Sequence, residues 1–344
     1  MSTWRRTPPG PARRGGSASP APPLFAGRST WPLHSNHRAA ADIRPMPREY
    51  VGTQAEWVWL HAAALPPGCP LIAVSSADGG VGRSTLVAAL GGLLALASPA
   101  LVAAADLTGR AWGGLAHRVA ATRPGTVWDA VAAATAGQPG LVPQFAQPGP
   151  TGLHTLIGEP HMNADRHPPS YGEAQTMLAA LPARYGLALL DLRPADNGGT
   201  WRALASAAAP VLVGRATEDS LQHLLTVLAW MRTAGLSAAA DRCVVAVMTT
   251  SPVISRDTRA VQRQVEQTAG HVVRIGYDPI LARPHPIDVR GLHKATRTSL
   301  TDLAAAVLRR CTGPAPVTAL GPVTPVPPAA PLPPAPPAPR PDEQ

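Results

Sequence analysis

The stretch "PLIAVSSADGGVGRSTLVAAL", residues 70 to 90, constrains this chain more than any other part of it. A short run of apolar and small side chains passes directly into glycines at 79, 80 and 82, and then into a second apolar run. Apolarity without alternation over so short a span is the pattern of a strand covered on both faces. Glycines let the chain turn sharply and let backbone amides approach a ligand closely. The helix expected from Arg83 adds the positive end of its dipole to those amides. Strand, glycine turn and helix in this order make a cradle suited to phosphate.

The residues that follow repeat the alternation of strand and helix. "LVAALGGLLALASPALVAAA", residues 86 to 105, has the length and apolarity of a membrane span. Proline at 99 disfavours helix in the residue before it, so the stretch reads as a buried helix to about Leu96 and a buried strand from Ala100 toward Asp106. Helices are expected at 113–121, 128–135, 171–185, 200–208, 220–235, 256–269 and 300–310, and strands at 153–158, 186–192, 209–216, 243–250 and 271–278. "EWVWLHAAAL", residues 56 to 65, reads as a short helix or an edge segment. Strands alternating with helical patterns of this length predict an α/β fold, a mainly parallel sheet with helices on both faces.

The 41 prolines crowd both ends of the chain, where β-branched and aromatic residues are few. Such segments bury too little apolar surface to offset chain entropy, so 1–48 is expected as a disordered basic arm and 313–344 as a disordered tail, linker or docking ligand. The folded domain is expected at 49–312. A net charge of +9 suits an acidic partner surface, although Lys294 is the only lysine. Without a nucleic-acid-binding motif, any contact with nucleic acid is expected to be nonspecific. Cys69, Cys243 and Cys311 lie too far apart for a zinc or disulfide framework and read as reduced structural thiols. The first residues carry arginines without an apolar run behind them, unlike a secretory signal. No transmembrane segment is expected, and reduced thiols are expected of a chain in the cytoplasm. The histidines show no metal-ligand spacing. Trp112, Trp128, Trp201 and Trp230 read as packing residues, and Arg193, Arg215 and Arg274 as solvated strand-end cations.

In the pattern G-x-x-x-x-G-K-[ST], Gly82 takes the second glycine, Arg83 the lysine and Ser84 the hydroxyl position that ligates Mg²⁺. "SADGGVGRST" resembles the deviant Walker A loop of the MinD/ParA family of ATPases, written K-G-G-x-G-K-[ST]-[ST]. The strands ending at Asp106 and at Asp191, in "ALLDLRP", and residues 273 to 307 extend the resemblance over about 70 to 310. The last stretch and the proline-rich flanks are similar to the MinD-like proteins associated with type VII secretion. The resemblance implies a P-loop fold that binds ATP and Mg²⁺, with Gly79, Gly80, Val81, Gly82, Arg83, Ser84 and Thr85 around the phosphates. Ser84 and Asp191 would hold the metal, while Arg83 and Asp106 would serve the chemistry. Asp106 matches one acid of a D-x-D pair that this chain lacks, so which of the two it replaces stays open. Asp191 by itself is also compatible with a strand-end cap.

Two positions depart from the family pattern. Asp78 stands where relatives carry the lysine that crosses a nucleotide-sandwiched dimer, and Arg83 replaces a compact ammonium with a planar fork. Three functions follow. The first is a slow ATP-hydrolysing switch that governs a protein partner in secretion, partition or positioning, with a nucleotide-dependent homodimer. The second is a catalytically degenerate adaptor. The third is a dinucleotide-binding dehydrogenase, since "GGVGRS" and the later Asp106 loosely match its fingerprint, although Thr85 stands at the third glycine.

Overall fold

The computed structural model describes residues 54–66, 68–110, 113–159 and 167–313, and all of them fall in the unit that runs from Ser35 to Gln344. The expected arm at 1–48, the tail beyond Gly313 and Trp112 lie outside the described residues. Within them, α1 (Gln54–Ala63) is followed by β1 (Leu71–Ser76), α2 (Arg83–Ala97) and β2 (Val102–Leu107). Next come α3 (Val127–Thr135), β3 (Gln147–Pro148), β4 (Leu153–Leu156), α4 (Tyr171–Ala180), β5 (Leu187–Leu192) and α5 (Gly198–Ser206). The chain continues through β6 (Ala209–Arg215), α6 (Glu218–Thr233), α7 (Ser237–Arg242), β7 (Val244–Met248), α8 (Arg256–Thr268), β8 (Val272–Ile275), α9 (Pro279–Ala282) and α10 (Lys294–Cys311).

The strands form one sheet of eight in the order β3-β4-β2-β5-β1-β6-β7-β8. Only β3 runs antiparallel, against β4. Side chains alternate between two cores because successive residues of a strand point to opposite faces. Ile72 and Val74 of β1 join α1, α2 and α10 on one face, while Ala73 joins α3 to α8 on the other. Two covered faces account for the unbroken apolar runs of β1, β2 and β5. On α2, Leu86, Leu90 and Leu94 are fully buried in the first core; truncating any one of them to alanine would cost about 2–5 kcal/mol.

The chain leaves β1 toward β2 on one side, whereas it leaves β6 toward β7 on the other. Adjacent strands with diverging connections open a crevice beyond their carboxyl ends, the usual ligand position of such sheets. The glycine turn sits at this point, at the end of β1.

Several boundaries differ from the sequence expectation. The helix expected at 113–121 is a shorter 3-10 helix at Gly114–Arg118, ended where Val119 turns to an extended conformation. The short α7 carries too few turns to show a helical period. α10 starts at Lys294 instead of near 300, since its polar first turns hide the periodicity. The two-residue β3, with Pro148, blunts one sheet edge. The apolar stretch at 86–105 is divided between α2 and β2, and no described helix is long and apolar enough to cross a membrane.

Candidate functional site

The glycine turn takes its shape from two left-handed residues. Gly80 has φ +73 and Gly82 φ +93, conformations that a side chain strains against. Gly82 is also the N-cap of α2, and having no side chain it leaves the first-turn amides uncapped. By contrast α3, α4, α5 and α8 are capped by Thr126, Ser170, Asn197 and Ser255. Gly79 and Gly80 are exposed, with open space where a Cβ would stand. Val81 turns inward and is buried, and Thr85 is buried in the first turn of α2. The turn therefore presents a helix start and free amides outward, the geometry that favours an anion.

Behind the turn lie two acids. Asp106 of β2 and Asp191 of β5 are register partners in neighbouring parallel strands. Both are buried. Asp106 Oδ1 accepts from the Thr108 amide at 3.1 Å and from its hydroxyl at 2.6 Å. The outer oxygens, Asp106 Oδ2 and Asp191 Oδ2, are buried without a hydrogen-bond partner. Burial, and then the charge of Asp191, push the Asp106 carboxyl well above the ordinary carboxylate range, against the opposing bonds from Thr108. Burial also raises Asp191, opposed by the Arg83 charge and by the Ser84 hydroxyl beside it.

Arg83 was expected to face the phosphates. Its guanidinium turns instead to the acids: Nε donates to Asp191 Oδ1 at 3.0 Å and Nη1 to Ser76 Oγ at 2.7 Å. Ser76 Oγ in turn donates to the carbonyl of Asp78 at 2.6 Å. The Arg83 side chain is 12% exposed and that of Asp191 0%. Asp78 pairs with His223 of α6, Nδ1 to Oδ1 at 2.7 Å. The loop after β5 is fastened to β1 as well, because Ser75 Oγ donates to the Arg193 carbonyl and the Ala195 amide to the Ser76 carbonyl.

Two orphaned carboxylate oxygens beside a hydroxyl are hard oxygen donors that suit a magnesium-sized cation. Gly113 packs against the Asp106 carboxylate and Gly114 against Ser84. A Cβ on Gly113 would fall inside the Asp106 carboxylate, and one on Gly114 would stand 3.0 Å from Ser84 Oγ. The chemistry of these donors suits Mg²⁺, with Gly113 packed against the Asp106 carboxylate.

Gly79 to Thr85, Asp106 and Asp191 gather at one end of the sheet, at the carboxyl ends of β1, β2 and β5. Sequence reasoning missed Ser76, Thr108, Gly113 and His223. Thr108 lies two residues past Asp106 and was open to discovery as a local turn, whereas His223 reaches Asp78 only through the packing of α6. Arg215 and Arg274 sit in ion pairs with Asp219 and Glu266 rather than at the site. Trp128 and Trp201 are buried as packing residues, and Trp201 meets Trp230 in a tilted contact with ring centroids 4.3 Å apart. The cysteines are free and buried, and burial raises each thiol to about 12, which keeps them unreactive. Among the described residues no group of three or more His, Cys, Asp or Glu side chains is placed to hold a metal.

No protein-family model matches the chain. A solved ParA family ATPase from Chlorobium tepidum TLS superposes with a TM-score of 0.58 at 16% identity, covering 69% of this chain and 98% of that one. The MinD cell division ATPase of Pyrococcus furiosus gives 0.52 at 16% identity, with coverages of 70% and 99%. The chain has the ParA/MinD fold. Among curated proteins, the ESX-1 secretion-associated protein EspI of Mycobacterium tuberculosis is 28% identical over 262 residues, 72% of this chain. The match spans 38% of that relative's length. Within the ParA/MinD fold the glycine turn, β2 and β5 bring the expected loop and both acids together, while Arg83 and Asp78 are engaged within the chain itself.

Proposed function

We propose that the chain is a nucleotide-binding regulator: it binds ATP at the turn Asp78–Thr85, and its nucleotide state governs association with a protein partner. The observation that carries this reading is the uncapped, glycine-led start of α2 at the end of β1, set against two buried carboxylates with orphaned oxygens. The turn amides would hold the phosphates, and Ser84 and Asp191 would hold Mg²⁺, which would supply charge neutralisation for the polyphosphate. Asp106 is fixed by Thr108 as the acid that orients an attacking water. Turnover is slow, since the loop cation is held by Asp191 and must leave it before meeting the phosphates. The curated relative's name, a secretion-associated protein, supports a partner in a secretion apparatus, with the chain cytoplasmic and peripheral to it.

Titration of the full chain with a fluorescent ADP analogue tests binding, and the absence of saturable binding overturns the reading. Comparing ATP turnover with Arg83→Ala tests the enzymatic part, which identical rates or no turnover would sink.

A second reading is a non-catalytic adaptor. The Asp78–His223 pair favours it, because the position used in relatives to bridge a dimer is occupied within this chain. ATP that raises the melting temperature without phosphate release would select it. The dehydrogenase reading loses its ribose acid, because Asp106 is buried against β5 and held by Thr108.

A further inference from the structure

Arg83 forms the link between the phosphate turn and the buried acids. Its planar fork satisfies Asp191 Oδ1 and Ser76 Oγ together, and Ser76 is anchored in turn on the Asp78 carbonyl, so the side chain is held in one orientation. The Asp191 carboxylate is buried, so its negative charge needs a counter-cation within the protein. Arg83 is that cation. A divalent ion on the same carboxylate would lie beside a fixed positive charge. A polyphosphate on the amides of the turn changes this balance, because a guanidinium matches phosphate oxygens as well as it matches a carboxylate.

We propose that Arg83 is a resident cation that keeps divalent metal off Asp191 until a bound polyphosphate draws it away, so that metal binds after nucleotide. The first half stands on the Arg83–Asp191–Ser76 geometry alone, and the second half rests on the nucleotide-binding reading. Coupling of this kind is reciprocal: whatever removes Arg83 from Asp191 strengthens metal binding, and whatever removes Asp191 from Arg83 strengthens phosphate binding.

The test has two arms on the full chain. In the first, Mn²⁺ is titrated without nucleotide and free Mn²⁺ is followed by electron paramagnetic resonance. Arg83→Gln is expected to gain a site at least about 10-fold tighter than the wild type, and Arg83→Gln/Asp191→Asn to lose it. Wild-type binding as tight as that of Arg83→Gln overturns the proposal. In the second arm, ADP binding is measured by calorimetry in EDTA. Asp191→Asn, close in shape to the native residue, is expected to bind ADP about 5-fold or more tighter than the wild type. Asp106→Asn removes the same charge without freeing Arg83 and is expected to change affinity less. Equal effects of the two substitutions, or none from Asp191→Asn, overturn the ordering. If Arg83→Gln fails to fold, the second arm decides. If no variant binds ADP, the nucleotide reading and the ordering fall, while the Mn²⁺ arm still decides whether Arg83 guards Asp191.

Discussion

Asp106 and Asp191 stand opposite each other on neighbouring parallel strands, β2 and β5, and each keeps one buried oxygen without a partner. A pair of carboxyls so placed is a local cost to the fold unless positive charge stands beside it.

That cost predicts a pH dependence. Burial and Asp191 raise the Asp106 carboxyl, so the folded chain binds this proton more tightly than the unfolded chain does. Its stabilising contribution is complete below the ordinary carboxylate value, about 4, and is lost as pH rises through the raised one. Thermal melts between pH 4 and 8, in steps of about one unit, should show stability falling across that window. Asp106→Asn should flatten the profile and add on the order of 1–2 kcal/mol at the upper end. An unchanged slope would contradict the assignment.

Thr108→Val removes the hydroxyl that donates to Asp106 Oδ1. The loss leaves a buried carboxylate with one bond fewer, and a cost of about 1–3 kcal/mol at neutral pH is expected by denaturant titration. The cost should shrink in acid, where the carboxyl is protonated.

Gly113→Ala and Gly79→Ala form a matched pair. A methyl group on Gly113 would collide with the Asp106 carboxylate, whereas at Gly79 it meets nothing within 4 Å. The first should cost about 1–3 kcal/mol or displace the segment, and the second should be near neutral in stability. Chemical denaturation of both variants checks the contrast.

Asp78→Lys removes the contact with His223 and reverses the charge at this position. The pair is partly exposed, so stability should change by no more than about 1 kcal/mol. ATP-dependent dimerisation, followed by sedimentation velocity, should increase relative to the wild type. No change in either sedimentation or nucleotide affinity would show that position 78 does not limit association.

The sequence alone determined the α/β class, the order of most strands and helices, and the place of the glycine turn. These follow from local physics: unbroken apolar runs for doubly covered strands, and glycines at a strand-to-helix junction. It also marked both acids, since each lies at or next to the end of an apolar run. The tertiary structure alone decided how these parts meet. Inserting β5 between β1 and β2 sets Asp191 against Asp106, and no spacing along the chain encodes that strand order. Likewise Arg83 has two acceptable anionic partners, phosphate and carboxylate, and its position in the loop does not choose between them. The choice falls to the buried Asp191, 108 residues away, because a desolvated carboxylate needs a charge beside it.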